Sequence, residues 1–271
     1  MKNLKKRIYC VLLLLLAGIV IFAAYQIRAE KILIQDSDAQ MALKPSLISP
    51  PPEATHESTP DGIPDDSPEA EAENSSETAT EDTTPALPMM DFSEVQAKNP
   101  DIVAWLVIDG LGIDYPIVQG TDNSYYLNHT AENKYNKLGA LFEDFRNNPD
   151  FSDFNSIIYG HNRKSPQVFG RLSLMKDQET FDKITTGYLY TPAKTYRIDI
   201  FAIVVGGSRS EFYNYIFASA QAKQWHLDMI RQYAMHYRDI DITAEDRILS
   251  LSTCSYEYKD ARTILIAKLS D

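Results

Sequence analysis

Residues 247–269 read RILSLSTCSYEYKDARTILIAKL, and this stretch decides the fold. Arg247–Thr253 and Thr263–Leu269 are two apolar, β-rich runs. The polar segment SYEYKDA between them has the composition of a loop. Two runs joined this way are expected as neighbouring antiparallel strands that close the chain. Their connection would bring Cys254 and Arg262 to one end of a sheet.

Working outward, other short strands are expected at Ile102–Ile108, Gly112–Val118, Gly139–Phe142 and Ser156–Tyr159. Tyr188–Tyr190 and Tyr196–Val205 flank a turn on Thr191–Lys194, which reads as a hairpin. Asp91–Asn99 reads as a short helix ended by Pro100. Between Ala218 and Tyr237, apolar residues recur at 218, 222, 225, 229, 230, 233, 234 and 237, a helical spacing. Several strands with one main helix predict a mostly β protein: a barrel or compact sheet with helices outside. A βαβαβ alternation is absent. So are GxGxxG, Walker A, CxxC and HExxH patterns, which leaves no sequence support for a cofactor or a metal site.

The rest of the chain is different material. Residues 1–7, MKNLKKR, are basic, and residues 8–25, IYCVLLLLLAGIVIFAAY, carry no charge. Eighteen apolar residues are just enough for a membrane helix. The basic excess on the N-terminal side predicts a single-pass signal anchor, N-terminus cytoplasmic, with the remainder outside. A cleaved signal peptide is the alternative, disfavoured by the length of the apolar run. Residues 26–88 are expected as a disordered stalk. Pro45–Pro88 holds nine of the chain's fourteen prolines and eleven acidic residues, with no aromatic. Such a segment buries too little apolar surface to offset its ordering entropy. The formal charge of −12 comes largely from there, so it says little about the domain's partners and gives no sign of nucleic-acid binding. Residues 89–271 remain as one domain with enough chain for a core.

Cys254 is the chain's second cysteine; the first, Cys10, lies in the apolar run. In an oxidising compartment Cys254 then has no intrachain partner, and a lone thiol at a strand end is either a nucleophile or a buried structural residue. A thiolate nucleophile needs a proton carrier. His56 falls in the stalk, His226 and His236 on the helix, and His129 in the polar stretch YLNHTAENKYN. His161, in NSIIYGHN, is delivered to a loop mouth by a buried strand, where scaffolds hold reactive groups. Arg262 is placed to hydrogen-bond an oxyanion or a substrate carbonyl, or else to pair with Asp260 or Glu257 in solvent.

With these residues assembled, LSLSTCSYEYKDAR resembles the TLxTC–Arg signature of sortases, the cysteine transpeptidases of Gram-positive cell surfaces. IIYGHN resembles their histidine motif, and NPDIVAWLVIDGLGIDYPIVQGTDNSYYL resembles the start of a class B sortase domain. The likeness covers Asp91 to Asp271. It departs at Ser250, where the family has Thr, but a hydroxyl is kept. The resemblance implies a closed, mostly antiparallel β-barrel of eight strands with peripheral helices, including an N-terminal helix and a long helix between late strands. It implies that Cys254 attacks a Thr–X bond in the sorting motif of a secreted surface protein and forms a thioester. His161 would serve as acid and then base, and Arg262 would hold the oxyanion or motif backbone. Asn123, Leu127 and Ser252 match positions lining the motif pocket. The acceptor would be an amine of a cell-wall peptide or a pilin lysine. Two rivals remain: a cysteine peptidase using water, against which the His-then-Cys order and the lack of a QACxG motif argue, and a noncatalytic binding module on a stalk.

Overall fold

The computed structural model describes residues 2–48, 87–162 and 167–270. In chain order the helices are α1 (Lys2–Met41), α2 (Ser93–Lys98), α3 (Gln178–Lys183) and α4 (Ala220–Tyr233). The strands are β1 (Leu47–Ile48), β2 (Met89–Met90), β3 (Ile102–Ile108), β4 (Ile113–Val118), β5 (Leu141–Glu143), β6 (Asn155–Tyr159), β7 (Thr186–Tyr190), β8 (Thr195–Gly207), β9 (Ala234–Tyr237), β10 (Arg247–Cys254) and β11 (Ala261–Ser270). The main sheet runs β11-β10-β6-β5-β4-β3-β7-β8-β9, and β11 also pairs with β8. That extra pairing closes a ring of eight strands, with β9 added outside it on the edge of β8. The closed, eight-stranded mostly β expectation holds, with two parallel pairings, β4–β5 and β6–β10, inside an otherwise antiparallel barrel.

The long apolar run of β11 has a simple cause: both its faces are buried. Leu265, Ala267 and Leu269 point into the barrel with Leu106, Ile158, Ile198 and Leu249. Ile264 and Ile266 point outward, where Leu227, Met229 and Ile230 of α4 cover them together with Phe201 and Val204. Each such side chain removed from water stabilises the fold by roughly 1.5–3 kcal/mol.

The late helix is shorter than its apolar spacing suggests. Ser219 caps its start by accepting from Ala222 N. At Ala234 the backbone becomes extended, and Ala234–Tyr237 pairs with Ala202–Val204 of β8 instead of continuing the helix. The β8 edge beyond β7 offers open ladder positions, and satisfying them outweighs the local helical pattern. The buried face is His226, Leu227, Met229 and Ile230, whereas Trp225 and Tyr233 are exposed.

The N-terminal expectations are corrected. Among the described residues no helix is long and apolar enough to cross a membrane, which overturns the single-pass anchor over residues 8–25, the bilayer contact and the cytoplasmic-to-extracellular topology. The uncharged run of eighteen residues sits at the short end of the roughly 17–25 that a bilayer span takes. The helix containing it continues into a polar half bearing Arg28, Glu30, Lys31, Asp36 and Asp38. Residues 26–41, expected as the start of a stalk, are helical because they contain neither proline nor glycine. Leu33 and Met41 pack against the barrel core, and Leu43 is buried beside Trp105 and Tyr126. The proline-rich acidic stretch 49–86 lies outside the described residues. Its two flanks are adjacent, because β1 pairs with β2 (Leu47↔Met90, Ile48↔Met89).

Candidate active site

The parallel pairing of β6 with β10 brings the reactive residues together. Parallel strands end at the same edge, and the last register pair is Ser252↔Tyr159. Cys254 and His161 each lie two residues beyond it. Gly160 N donates to Ser252 O at 3.1 Å and so prolongs the ladder. On the other side, antiparallel pairing sets Arg262 directly opposite Cys254. His161, Cys254 and Arg262 thus form one row across three chain segments. Two further contacts fix the row: Asn162 Nδ2 donates to Cys254 O at 2.8 Å, and Thr253 Oγ1 donates to Gly160 O at 2.7 Å. A Cβ on Gly160 would sit 2.5 Å from Leu141 and 2.6 Å from Phe169, so the chain reaches His161 only through a residue without one.

A cavity of about 220 Å³ opens over this row. All six residues singled out from sequence line it: Cys254, His161, Arg262, Asn123, Leu127 and Ser252. Cys254 carries a free thiol and is half-buried. His161 Nε2 lies 2.7 Å from Leu127 O. A carbonyl only accepts, so Nε2 carries the proton of this bond. Arg262 Nη1 donates to Ala261 O at 3.0 Å, which steadies the guanidinium beside the thiol. Asn123 Oδ1 accepts from Phe145 N at 3.0 Å. Asp122 accepts from Ser124 Oγ, Ser124 N and Tyr125 N, and these bonds hold its carboxyl below the usual range. The loop carrying Asn123 and Leu127 is therefore a fixed turn.

Sequence reasoning missed the aromatic wall. Tyr213, Tyr159 and Phe142 line the cavity with the six. Tyr213 and Ser252 share a hydrogen bond of 2.7 Å between hydroxyls. Burial pushes the Tyr213 phenol up to about 12; Ser252 and the Arg262 charge pull the other way, and the nearby Cys254 adds to the rise. It therefore stays neutral. Its ring stacks on Tyr159 at 6.1 Å between centroids. Tyr159 OH donates to Asp144 Oδ2 at 2.9 Å, and Arg146 grips the same carboxylate through Nε and Nη2 at 2.8 and 2.6 Å. Tyr159 was visible inside IIYGHN, but nothing in SRSEFYNY distinguishes Tyr213 as a wall residue.

The departure at Ser250 has a structural account. Ser250 Oγ, buried, donates to Asn155 Oδ1 at 2.8 Å. Asn155 Nδ2 donates to the carbonyls of Phe212 and Asn214, the two residues flanking Tyr213. The hydroxyl at 250 thus holds the segment that carries Tyr213, and Ser supplies it as Thr would.

The other histidines lie elsewhere. His226 is fully buried with neither ring nitrogen bonded among the described residues, and burial lowers it to about 4. His129 stacks on Tyr125, and His236 bonds to Lys176 O. Among the described residues no group of His, Cys, Asp and Glu has the arrangement to hold a metal ion.

An eight-stranded barrel with thiol, imidazole and guanidinium in one row at its edge defines a class of cysteine transpeptidases. Residues 106–270 match the Sortase domain model, and the chain belongs to the sortase family. Its relatives place it in class B. It is 34% identical over 184 residues to sortase B of Listeria monocytogenes, covering 66% of this chain and 74% of that protein. Among solved structures, Clostridium perfringens sortase B superposes with a TM-score of 0.64 at 29% identity, covering 67% of this chain and 100% of that one. A substrate complex of Staphylococcus aureus sortase B superposes with a TM-score of 0.62 at 28% identity, covering 66% and 83%. The chain is therefore a sortase enzyme of the B class.

Proposed function

We propose that residues 89–271 form a catalytic domain that cuts a Thr–X bond within a C-terminal sorting motif of a secreted surface protein and transfers the upstream acyl group to an amine. The observation that carries this reading is the row His161, Cys254, Arg262 under one cavity. Cys254 Sγ gives its proton to His161 and attacks the threonine carbonyl carbon. Arg262 donates to the oxygen as it gains charge, which favours the tetrahedral state over the flat ground state. As the C–N bond breaks, His161 gives a proton to the departing amine. The thioester is then attacked by an incoming amine, His161 takes its proton, and the thiolate leaves. Asn123, Leu127 and Ser252 line the motif's seat, Leu127 with apolar surface and Asn123 with a side-chain amide. The S. aureus relative, solved as a substrate complex, supports a motif peptide as the occupant. An amine of the wall peptide or a pilin lysine is the acceptor class.

The test is intact-mass spectrometry of the protein incubated with a small library of sorting-motif peptides, with and without amines. A mass gain at Cys254 equal to the N-terminal part of one peptide, discharged faster by amine than by water, is expected. Cys254→Ala gives no adduct, and His161→Ala loses most of the rate while keeping its fold. Discharge by water at the same rate with or without amine overturns transfer in favour of a peptidase. No adduct with any peptide overturns the motif assignment.

A further inference from the structure

One wall of the cavity is formed by Asn123 and Leu127 of the loop between β4 and β5, whose residues Thr130, Ala131, Asn136 and Gly139 are buried. The C-terminal turns of α1 lie against it. This segment precedes residue 106, where the family match begins. Gln40 is 1% exposed and uses both ends of its amide: Nε2 donates to Gly139 O at 3.2 Å, and Oε1 accepts from Ala131 N at 2.9 Å. Asn136 Nδ2 reaches back to Leu33 O at 3.1 Å. The same loop bears the carbonyl that fixes the histidine, Leu127 O.

Gly139 connects the two faces. It has φ +64°, and a Cβ there would lie 2.4 Å from Tyr126 O and 2.8 Å from Leu127 O. Its backbone is thus pressed against the carbonyl that accepts from His161. The next residue closes the turn, Ala140 N donating to Tyr126 O at 3.0 Å. From Gln40 to Gly139 the step is a buried hydrogen bond, from Gly139 to Leu127 O it is a close backbone approach, and from Leu127 O to His161 Nε2 it is a hydrogen bond of 2.7 Å at the exposed mouth of the cavity. The buried part of this path transmits small displacements to the Leu127 carbonyl, because a packed interior has no slack to absorb them.

We infer that Gln40 is a positioning residue for His161: docked through it, the end of α1 sets the place of the Leu127 carbonyl and so the tautomer and orientation of the catalytic imidazole. Gln40 touches no substrate. It acts by holding two backbone groups of the loop in register. The β1–β2 pairing and the Lys44–Asp114 ion pair at 2.9 Å keep the helix end in place. A sub-ångström shift of a proton carrier costs rate steeply, since proton transfer needs hydrogen-bond geometry.

The inference rests on the transpeptidase reading for its kinetic readout and is independent of it for its spectroscopic one. In the full chain, Gln40→Met keeps the volume and removes both hydrogen bonds. Met41→Ala, which loses only packing on the barrel core, is the control for destabilisation. For Gln40→Met, kcat of acyl transfer is expected to fall roughly tenfold with KM within about twofold, and the ring-nitrogen NMR signals of His161 to move from an Nε2-protonated tautomer to a mixture. Met41→Ala is expected to lower the melting temperature while leaving kcat and those signals unchanged. Unchanged His161 signals in Gln40→Met overturn the inference, as does an equal kcat loss in Met41→Ala. If the wild-type protein transfers no acyl group, the transpeptidase reading fails, and the His161 signals alone decide whether Gln40 positions the ring.

Discussion

Replacing Glu143 by glutamine tests whether the barrel interior holds a carboxylic acid in its neutral form. Glu143 ends β5 and has no solvent exposure; the neighbouring Ser156 hydroxyl does not reach hydrogen-bond geometry with it and only partly offsets the burial of its carboxyl. Burial raises its pKa to about 9, and the charges of Asp153, Asp150 and Asp144 add to the rise. Asp144, one residue on, is held ionised: burial opposes this, but the grip of Arg146 and the Tyr159 hydroxyl prevails and lowers it. The sign follows from linkage. With a folded value above the unfolded 4.5, Glu143 costs nothing below pH 4.5, and stability is lost as pH rises toward about 9. At pH 7 folding must protonate a group ionised in the unfolded chain. The interval of about 2.5 pH units at ~1.36 kcal/mol each gives a cost near ~3 kcal/mol. Glutamine has nearly the same shape and does not titrate. Glu143→Gln is therefore expected to match wild type within ~1 kcal/mol at pH 5 and to exceed it by about 3 kcal/mol at pH 7. Urea melts at the two pH values measure both differences. An equal difference at pH 5 and pH 7 would refute the reasoning, because Glu143 would then titrate alike in the folded and unfolded chain.

Two further outcomes follow from buried groups. His226, lowered to about 4 by burial, contributes stability above pH 6.5 that is lost as pH falls toward 4; His226→Phe is expected to flatten that decline by about 3 kcal/mol, read from melts across the interval. Ser250→Ala strands Asn155 Oδ1 and loosens the Tyr213 segment, so a loss of about 1–2 kcal/mol in stability and a severalfold loss in kcat are expected, with Ser250→Thr close to wild type; unchanged kinetics in Ser250→Ala would show that Tyr213 is held by other means.

Much of the site was legible because its chemistry is carried by rare residue types in local motifs. A cysteine at a strand end, a histidine at a strand mouth and an arginine across a polar loop are each only candidates, and it is the motifs around them, taken together, that carry the resemblance. The antiparallel pair β10–β11 was legible too, since the sequence contains both strands and their connection. The pairing of β6 with β10 was not: parallel strands have no short connection, so nothing local records their register. That register is what sets Cys254 and His161 in one row. Tyr213 escaped for the same reason, reaching Ser252 from a segment whose own residues carry no pattern.

The N-terminal third shows where local composition misleads. An uncharged run predicts a membrane span, and a proline-rich acidic run predicts a stalk from residue 26 onward. Both readings consider only what a segment can do alone. Tertiary contact decides otherwise for residues 26–48, where Gln40, Leu33 and Leu43 find partners on the barrel and β1 finds β2. The sequence by itself determined the β-rich domain and singled out the thiol, imidazole and guanidinium as candidates, because periodicity and reactive residue types are local properties. Only the tertiary structure decided the ring closure through β8 and β11, the row of reactive groups, the aromatic wall and the docking of α1, because each depends on contacts between residues far apart in the chain.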